Sequence, residues 1–136
     1  MLNTWKGPGW VPTNTVSNIL VAVQALVFND EPLKNEPGFE SSPKEQIDNY
    51  STVIKFSNIK ISIIDQISVS LGNFENFRDT IKEYIKNNIE GYDKLIKDLC
   101  SKKSKEIKTP AYGMEVYLDY ENLENYYDTF KTKILS

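Results

Sequence analysis

Apolar positions mark out four stretches of the chain. Over residues 13–28, Val16, Ile19, Leu20, Val23, Leu26 and Val27 recur at spacings of three and four, one stripe of an amphipathic helix. Thr13 or Thr15 can cap it, because a hydroxyl there accepts from an orphan N–H. Residues 1–12 read as irregular, with Gly7-Pro8-Gly9 as turn punctuation. Asn29 to Pro43 reads as a loop, broken by Pro32, Pro37-Gly38 and Pro43. Over residues 45–71 two periods compete. Ile59, Ile61 and Ile63 alternate with polar residues as in a half-buried strand, while Phe56, Ile59, Ile63, Ile67 and Leu71 share a helical face. The β-branched content suits a strand; the length without turn signals suits a helix, and a helix is expected.

Gly72-Asn73 then interrupts the pattern. Residues 74–101 form the next expected helix, with Phe77, Ile81, Tyr84, Ile85, Tyr92, Leu95, Ile96 and Leu99 on one side. Gly91 weakens it by about 1 kcal/mol relative to alanine. Residues 102–113 read as a basic linker ending at Pro110 and Gly113. From 114 to 136, Val116, Tyr120, Leu123, Tyr127, Phe130 and Ile134 step by four and three along a last helix. The expected organisation is therefore 1–101, a linker over 102–113, and a C-terminal helix over 114–136.

Composition narrows the chemistry. The 136 residues carry a formal charge of -3. With a pI near 5.0, that argues against a nucleic-acid surface. There is no histidine and one cysteine, Cys100. An intrachain disulfide is excluded, a zinc site lacks ligands, and no imidazole base exists for a serine or cysteine nucleophile. Carboxylate chemistry, or none, is what remains. The first residues show no export signal, and the apolar run Ile19–Phe28, interrupted by Gln24, is too short to span a bilayer. An intracellular setting, cytoplasmic or nuclear, and no membrane contact are expected, with no cofactor implied. Charge is segregated: 94–108 is rich in lysine and 114–128 is acidic, as in solvated helix faces that meet.

One stretch is more specific. Trp10-Val11-Pro12, Thr15-Val16, Ile19-Leu20, Val23-Gln24-Ala25-Leu26 and Pro32-Leu33 follow one another at fixed intervals. This series resembles the region after the active site in ubiquitin-conjugating enzymes. Leu2-Asn3-Thr4-Trp5 and Asn35-Glu36-Pro37-Gly38-Phe39-Glu40 resemble segments of the large conjugating enzymes of the BRUCE/apollon type. Residues 58–67 and 77–99 follow that class more loosely, so the resemblance covers residues 2–100. It implies a mainly α chain: the C-terminal helices of an α+β conjugating-enzyme fold, lacking the N-terminal helix and sheet, plus a helical extension. The implied partners are ubiquitin and a ubiquitin ligase. The alternative is a non-catalytic helical adaptor that binds the ubiquitination machinery or another protein.

The resemblance also assigns residues. The loop at the Trp-x-Pro position belongs to the surface on which ligases dock, which carries over to Val11, Pro12 and Thr13; read from the residues alone, Trp5 and Trp10 are core aromatics. An acid just before Pro32-Leu33 corresponds to the group that orients the incoming lysine, which marks Glu31, with Asp30 one residue away. Read from composition alone, Glu31 is a solvated loop acid. The family's nucleophile is a cysteine ahead of the Trp-x-Pro loop. The register of Leu2-Asn3-Thr4-Trp5 puts that position three residues before Met1, so the catalytic cysteine is expected outside these residues. Cys100 is expected to be a packed thiol.

Overall fold

The structure, a computed structural model, describes residues 11–69 and 71–136. Trp5, Trp10, Gly7-Pro8-Gly9 and the Leu2-Asn3-Thr4-Trp5 segment lie outside the described residues. Helix α1, Val16–Ala22, starts at Thr15, whose Oγ1 accepts from the Asn18 amide at 3.2 Å. It widens into a π-helical turn over Val23–Val27. Neither segment has a buried residue: Val16, Leu20 and Leu26 are 71, 63 and 70% exposed, and Ile19 and Val23 are half-buried. The apolar stripe is real but nothing described closes over it. The following loop is less irregular than its prolines suggest, because Pro32–Asn35 forms a 3₁₀ turn with the proline at its start.

The competition over 45–71 resolves as helix. Helix α2, Lys44–Ser57, runs through a π-helical stretch, Asn58–Asp65, into the short α3, Gln66–Ser68. Ile61, which a strand would bury beside Ile59 and Ile63, is 56% exposed. The wider π turn brings positions i and i+5 onto one face. Ile59 and Ile64 are thus buried together, between Phe56 and Ile67. Arg78, the sole arginine in the sequence, finishes this helix: its guanidinium donates to the carbonyls of Ile67 and Val69, both at 2.5 Å, and to Glu75. Glu75 in turn accepts from the Leu71 amide at 3.0 Å.

The single helix expected over 74–101 is three pieces: a 3₁₀ turn, Gly72–Phe77, then α4, Arg78–Asn87, and α5, Ile89–Cys100. The break falls at Asn88, not at Gly91. The Asn88 side-chain amide donates to the Tyr84 carbonyl at 2.8 Å and so ends the first helix locally. The buried face is narrower than the spacing predicts: Phe77 and Tyr84 are 56 and 62% exposed, while Ile85, Ile96 and Leu99 are buried.

The linker expectation misses a β-hairpin. Strands β1, Lys105–Lys108, and β2, Glu115–Leu118, pair antiparallel with Ile107 opposite Val116. Thr109 closes its loop: its amide donates to the Met114 carbonyl at 2.8 Å, and its Oγ1 accepts from the Met114 amide at 3.0 Å. Val116 therefore belongs to a strand and not to the last helix. Its spacing of four from Tyr120 mimicked one more helical turn. Helix α6, Tyr120–Leu135, is capped by Asp119, and its seam Tyr120, Leu123, Tyr127, Phe130 and Ile134 is buried as expected.

Two apolar clusters hold these elements. The larger joins Val53, Phe56, Ile59 and Ile64 to Ile85, Ile96 and Leu99, to Ile107 and Leu118 of the hairpin, and to the α6 seam. Across it, α5 and α6 are clamped by polar contacts: Asp93 accepts from the Tyr127 hydroxyl at 2.8 Å and pairs with Lys131 at 2.5 Å. The smaller cluster is Leu33, Ile47, Tyr50 and Ala111. It lies directly beneath the loop that carries Glu31.

Candidate functional site

The loop between the π turn and α2 is built by asparagines. The Asn29 side chain donates to the Leu26 carbonyl at 3.1 Å and to Asn35 Oδ1 at 3.2 Å, and its own Oδ1 accepts from the Glu31 amide at 2.9 Å. That last bond is a local turn mimic, the usual work of asparagine in loops. Asn35 Nδ2 returns to the Val27 carbonyl at 2.9 Å. Ser51 of α2 donates to the Asp30 carbonyl at 3.0 Å, and the Lys34 amide to the Glu31 carbonyl, also at 3.0 Å. Leu33, wholly buried, anchors the turn from below. The backbone at Asp30 and Glu31 is therefore fixed from both sides while their side chains face out.

Glu31 pairs with Lys34 at 2.6 Å, with both side chains 42% exposed. An exposed pair of this kind contributes about 0–1 kcal/mol. It holds the carboxylate loosely, and another ammonium can take Lys34's place at little cost. Asp30 and Glu31 border a shallow groove whose other walls are α2 and α5, with Lys44, Lys55 and Lys102 among the residues lining it. Lys44 pairs with Asp48 at 2.6 Å, and Lys102 with Asp98 at 3.7 Å. Among the described residues no group of acidic or sulfur side chains could hold a metal ion. No described helix is long and apolar enough to cross a membrane.

Val11, Pro12 and Thr13 are exposed, on a turn that the Asn14 amide closes onto the Val11 carbonyl at 2.9 Å. They precede α1, whereas Glu31 follows its π turn, so the helix and that turn lie between the two in the chain. Cys100 ends α5, half-buried, with its thiol 3.3 Å from the Tyr120 carbonyl. Burial, then the carboxylates of Glu124 and Asp128, push this thiol above its ordinary range. A reactive cysteine needs the reverse.

Several residues of the loop's support carried no signal of their own. Glu36 accepts from the Tyr112 hydroxyl at 2.8 Å and lies 3.5 Å from that of Tyr50. Glu36 stands inside a motif quoted above, but nothing in the spacing of Asn29, Asn35, Tyr50 or Tyr112 announces a network.

No family model matches the chain. Individual relatives do. The ubiquitin-conjugating enzyme E2 Z of Homo sapiens is 26% identical over 137 residues, covering 99% of this chain and 38% of the relative. The probable ubiquitin-conjugating enzyme E2 R521 of Acanthamoeba polyphaga mimivirus is 29% identical over 117 residues, 79% of this chain and 7% of the relative. The probable ubiquitin-conjugating enzyme E2 25 of Arabidopsis thaliana reaches 44% over 46 residues, 31% of this chain and 8% of its own. These similarities support a protein like the ubiquitin-conjugating enzymes, and a mostly helical chain with a small two-stranded sheet is compatible with their α+β fold. The chain spans 38% of the length of the first relatives it matches.

Proposed function

We propose that the chain forms the C-terminal, helical part of a ubiquitin-conjugating domain of the BRUCE/apollon type, with the nucleophilic cysteine supplied from outside residues 1–136 and the hairpin and α6 as an extension. The observation that carries this reading is similarity to conjugating enzymes along 99% of the chain. The parent reaction is acyl transfer. A substrate lysine amine attacks the thioester carbonyl, a C–N bond forms, the C–S bond breaks, the thiolate leaves and the amine loses a proton. Glu31 is the lysine-positioning acid: it accepts a hydrogen bond from the incoming amine and so holds it near attack geometry. Its loose pairing with Lys34 supports this role, since the carboxylate already accommodates an ammonium. Val11, Pro12 and Thr13 form the ligase-docking loop, and the setting is intracellular.

The test uses a longer, cysteine-bearing form. Glu31→Ala leaves charging by the activating enzyme near wild type and slows discharge to free lysine. The loss approaches 10²–10⁴-fold if the carboxylate removes the proton, and is smaller if it only orients the amine. Asp30→Ala is the control for the adjacent acid. Equal discharge by wild type and both variants overturns the assignment. The adaptor reading has one observation in its favour, the exposed stripe of α1. Fully burying a Val or Leu side chain contributes about 1.5–3 kcal/mol, so those at 63–71% exposure forgo part of that, and patches of this kind mark interaction surfaces. Stable binding of a ligase by a form that carries no ubiquitin favours it.

A further inference from the structure

The loop bearing Glu31 is braced by residues far along the chain. The hairpin turn touches it at two points of different chemistry. Ala111, 2% exposed, packs with Leu33, Ile47 and Tyr50 beneath the loop. The next residue, Tyr112, sends its hydroxyl to Glu36 Oε2 at 2.8 Å across 76 positions of sequence. Glu36 is coupled to Glu31 through the 3₁₀ turn, since its amide donates to the Leu33 carbonyl and the Lys34 amide to that of Glu31, both at 3.0 Å. Tyr112 adopts φ +63° and Gly113 φ +59°. Two consecutive left-handed residues ask for glycine or asparagine, not for an aromatic side chain. Tyr112 is 77% exposed, so packing does not account for tyrosine here. What a smaller residue lacks is reach: only a long side chain ending in a donor spans from this turn to Glu36.

We propose that the hairpin Lys105–Leu118 is a strap over the acid-bearing loop, and that Tyr112 is a positioning residue which, through Glu36, fixes where Glu31 stands. The strap deepens the proposed function and rests on it only for its effect on transfer; its effect on the loop stands alone. Tyr50 adds to the same carboxylate from α2, 3.5 Å from Glu36 Oε1, so Glu36 is held between the body of the domain and the strap.

Amide exchange in the full chain tests the strap. Tyr112→Phe removes the donor alone, and Tyr112→Gly removes it while easing the backbone. Both are expected to speed exchange at Lys34 and Glu36 about 2- to 10-fold, the range for loss of one hydrogen bond. Glu36→Gln, which keeps an acceptor, is expected to do less than Glu36→Ala. Unchanged exchange in Tyr112→Phe, or slower exchange in Tyr112→Gly, overturns the strap. In a cysteine-bearing form, Tyr112→Phe is expected to slow discharge to lysine about 2- to 10-fold with charging intact, and to add nothing in a Glu31→Ala background. An equal further loss in that background overturns the coupling through Glu31. If Glu31→Ala itself leaves discharge unchanged, the proposed function fails, and the exchange result still decides the strap.

Discussion

Two buried tyrosines on α6 make one substitution mean opposite things. Tyr127 is 3% exposed and donates to Asp93, a carboxylate that also pairs with Lys131. Tyr120 is 1% exposed, stacks edge-on against Phe56 at 5.7 Å, and its hydroxyl has no partner among the described residues. In Tyr127→Phe the hydrogen bond to a charged group is lost, a contribution of about 1.5–3 kcal/mol. Asp93 keeps Lys131 and partial solvent access, which places the loss at the low end of that range. In Tyr120→Phe a buried donor that satisfies nothing is removed, so the expected change lies between none and a gain of about 1 kcal/mol. The two variants should thus differ by at least about 1.5 kcal/mol. At about 4 °C per kcal/mol for a chain of this size, that is about 6 °C in Tm. Urea unfolding measures it as a shift of midpoint with unchanged slope. pH supplies a second readout. Burial, then the Asp93 carboxylate, push the Tyr127 phenol up from its ordinary value. A group raised on folding stabilises fully below its unfolded pKa, about 10 for tyrosine, and that stabilisation is lost as pH rises beyond it. Tyr127→Phe should flatten this alkaline limb. Equal losses from both variants would refute the claim that the α5–α6 clamp and not tyrosine bulk sets the difference.

Two further predictions concern single residues. Cys100 should alkylate slowly in the folded chain and at a free-thiol rate in urea, and the 136-residue chain given activating enzyme, ubiquitin and ATP should form no thiol-sensitive adduct on a non-reducing gel; an adduct lost on Cys100→Ser overturns this. Arg78→Lys keeps the charge but cannot reach two carbonyls and Glu75 from one planar group, so it should cost about 1–2 kcal/mol in urea unfolding, and a change under about 0.3 kcal/mol would show that the α3 terminus needs no such cap.

The sequence was legible where one periodicity ran unopposed. The α6 seam repeats by fours and threes from Tyr120 to Ile134, and every member is buried. It failed where two patterns shared residues. Val116 fits both a helical step to Tyr120 and the alternation of Glu115, Val116, Tyr117 and Leu118. The strand prevails because Ile107 and Leu118 can then be buried together. The break at Asn88 is a side-chain hydrogen bond, which no hydrophobic period encodes, whereas Gly91, the visible weak point, sits inside α5 without consequence. At the candidate site, Glu31 is marked only by its place before Pro32-Leu33 in the resemblance, and the contacts that brace its loop carried no signal. A contact between Glu36 and a residue 76 positions on leaves no local trace.

This division has a mechanical meaning. The larger cluster closes on itself through α2, α4, α5, the hairpin and α6, so substitutions at Tyr127 or Arg78 report on the fold. Helix α1 takes no buried place in that cluster, and Glu31 follows directly from its π turn. Left to α1 alone, the loop would have an unburied neighbour on one side and solvent on the other. Its position must therefore come from the closed part of the molecule: Ser51 on the Asp30 carbonyl, Leu33 in the smaller cluster, and Tyr112 on Glu36. Two of these three supports involve the hairpin turn, through Ala111 beside Leu33 and through Tyr112 itself. The hairpin is thus not a separate appendage to the rest of the described chain. It is the route by which a stable core holds an exposed acid at a defined place, beside a helix whose own apolar face is left uncovered.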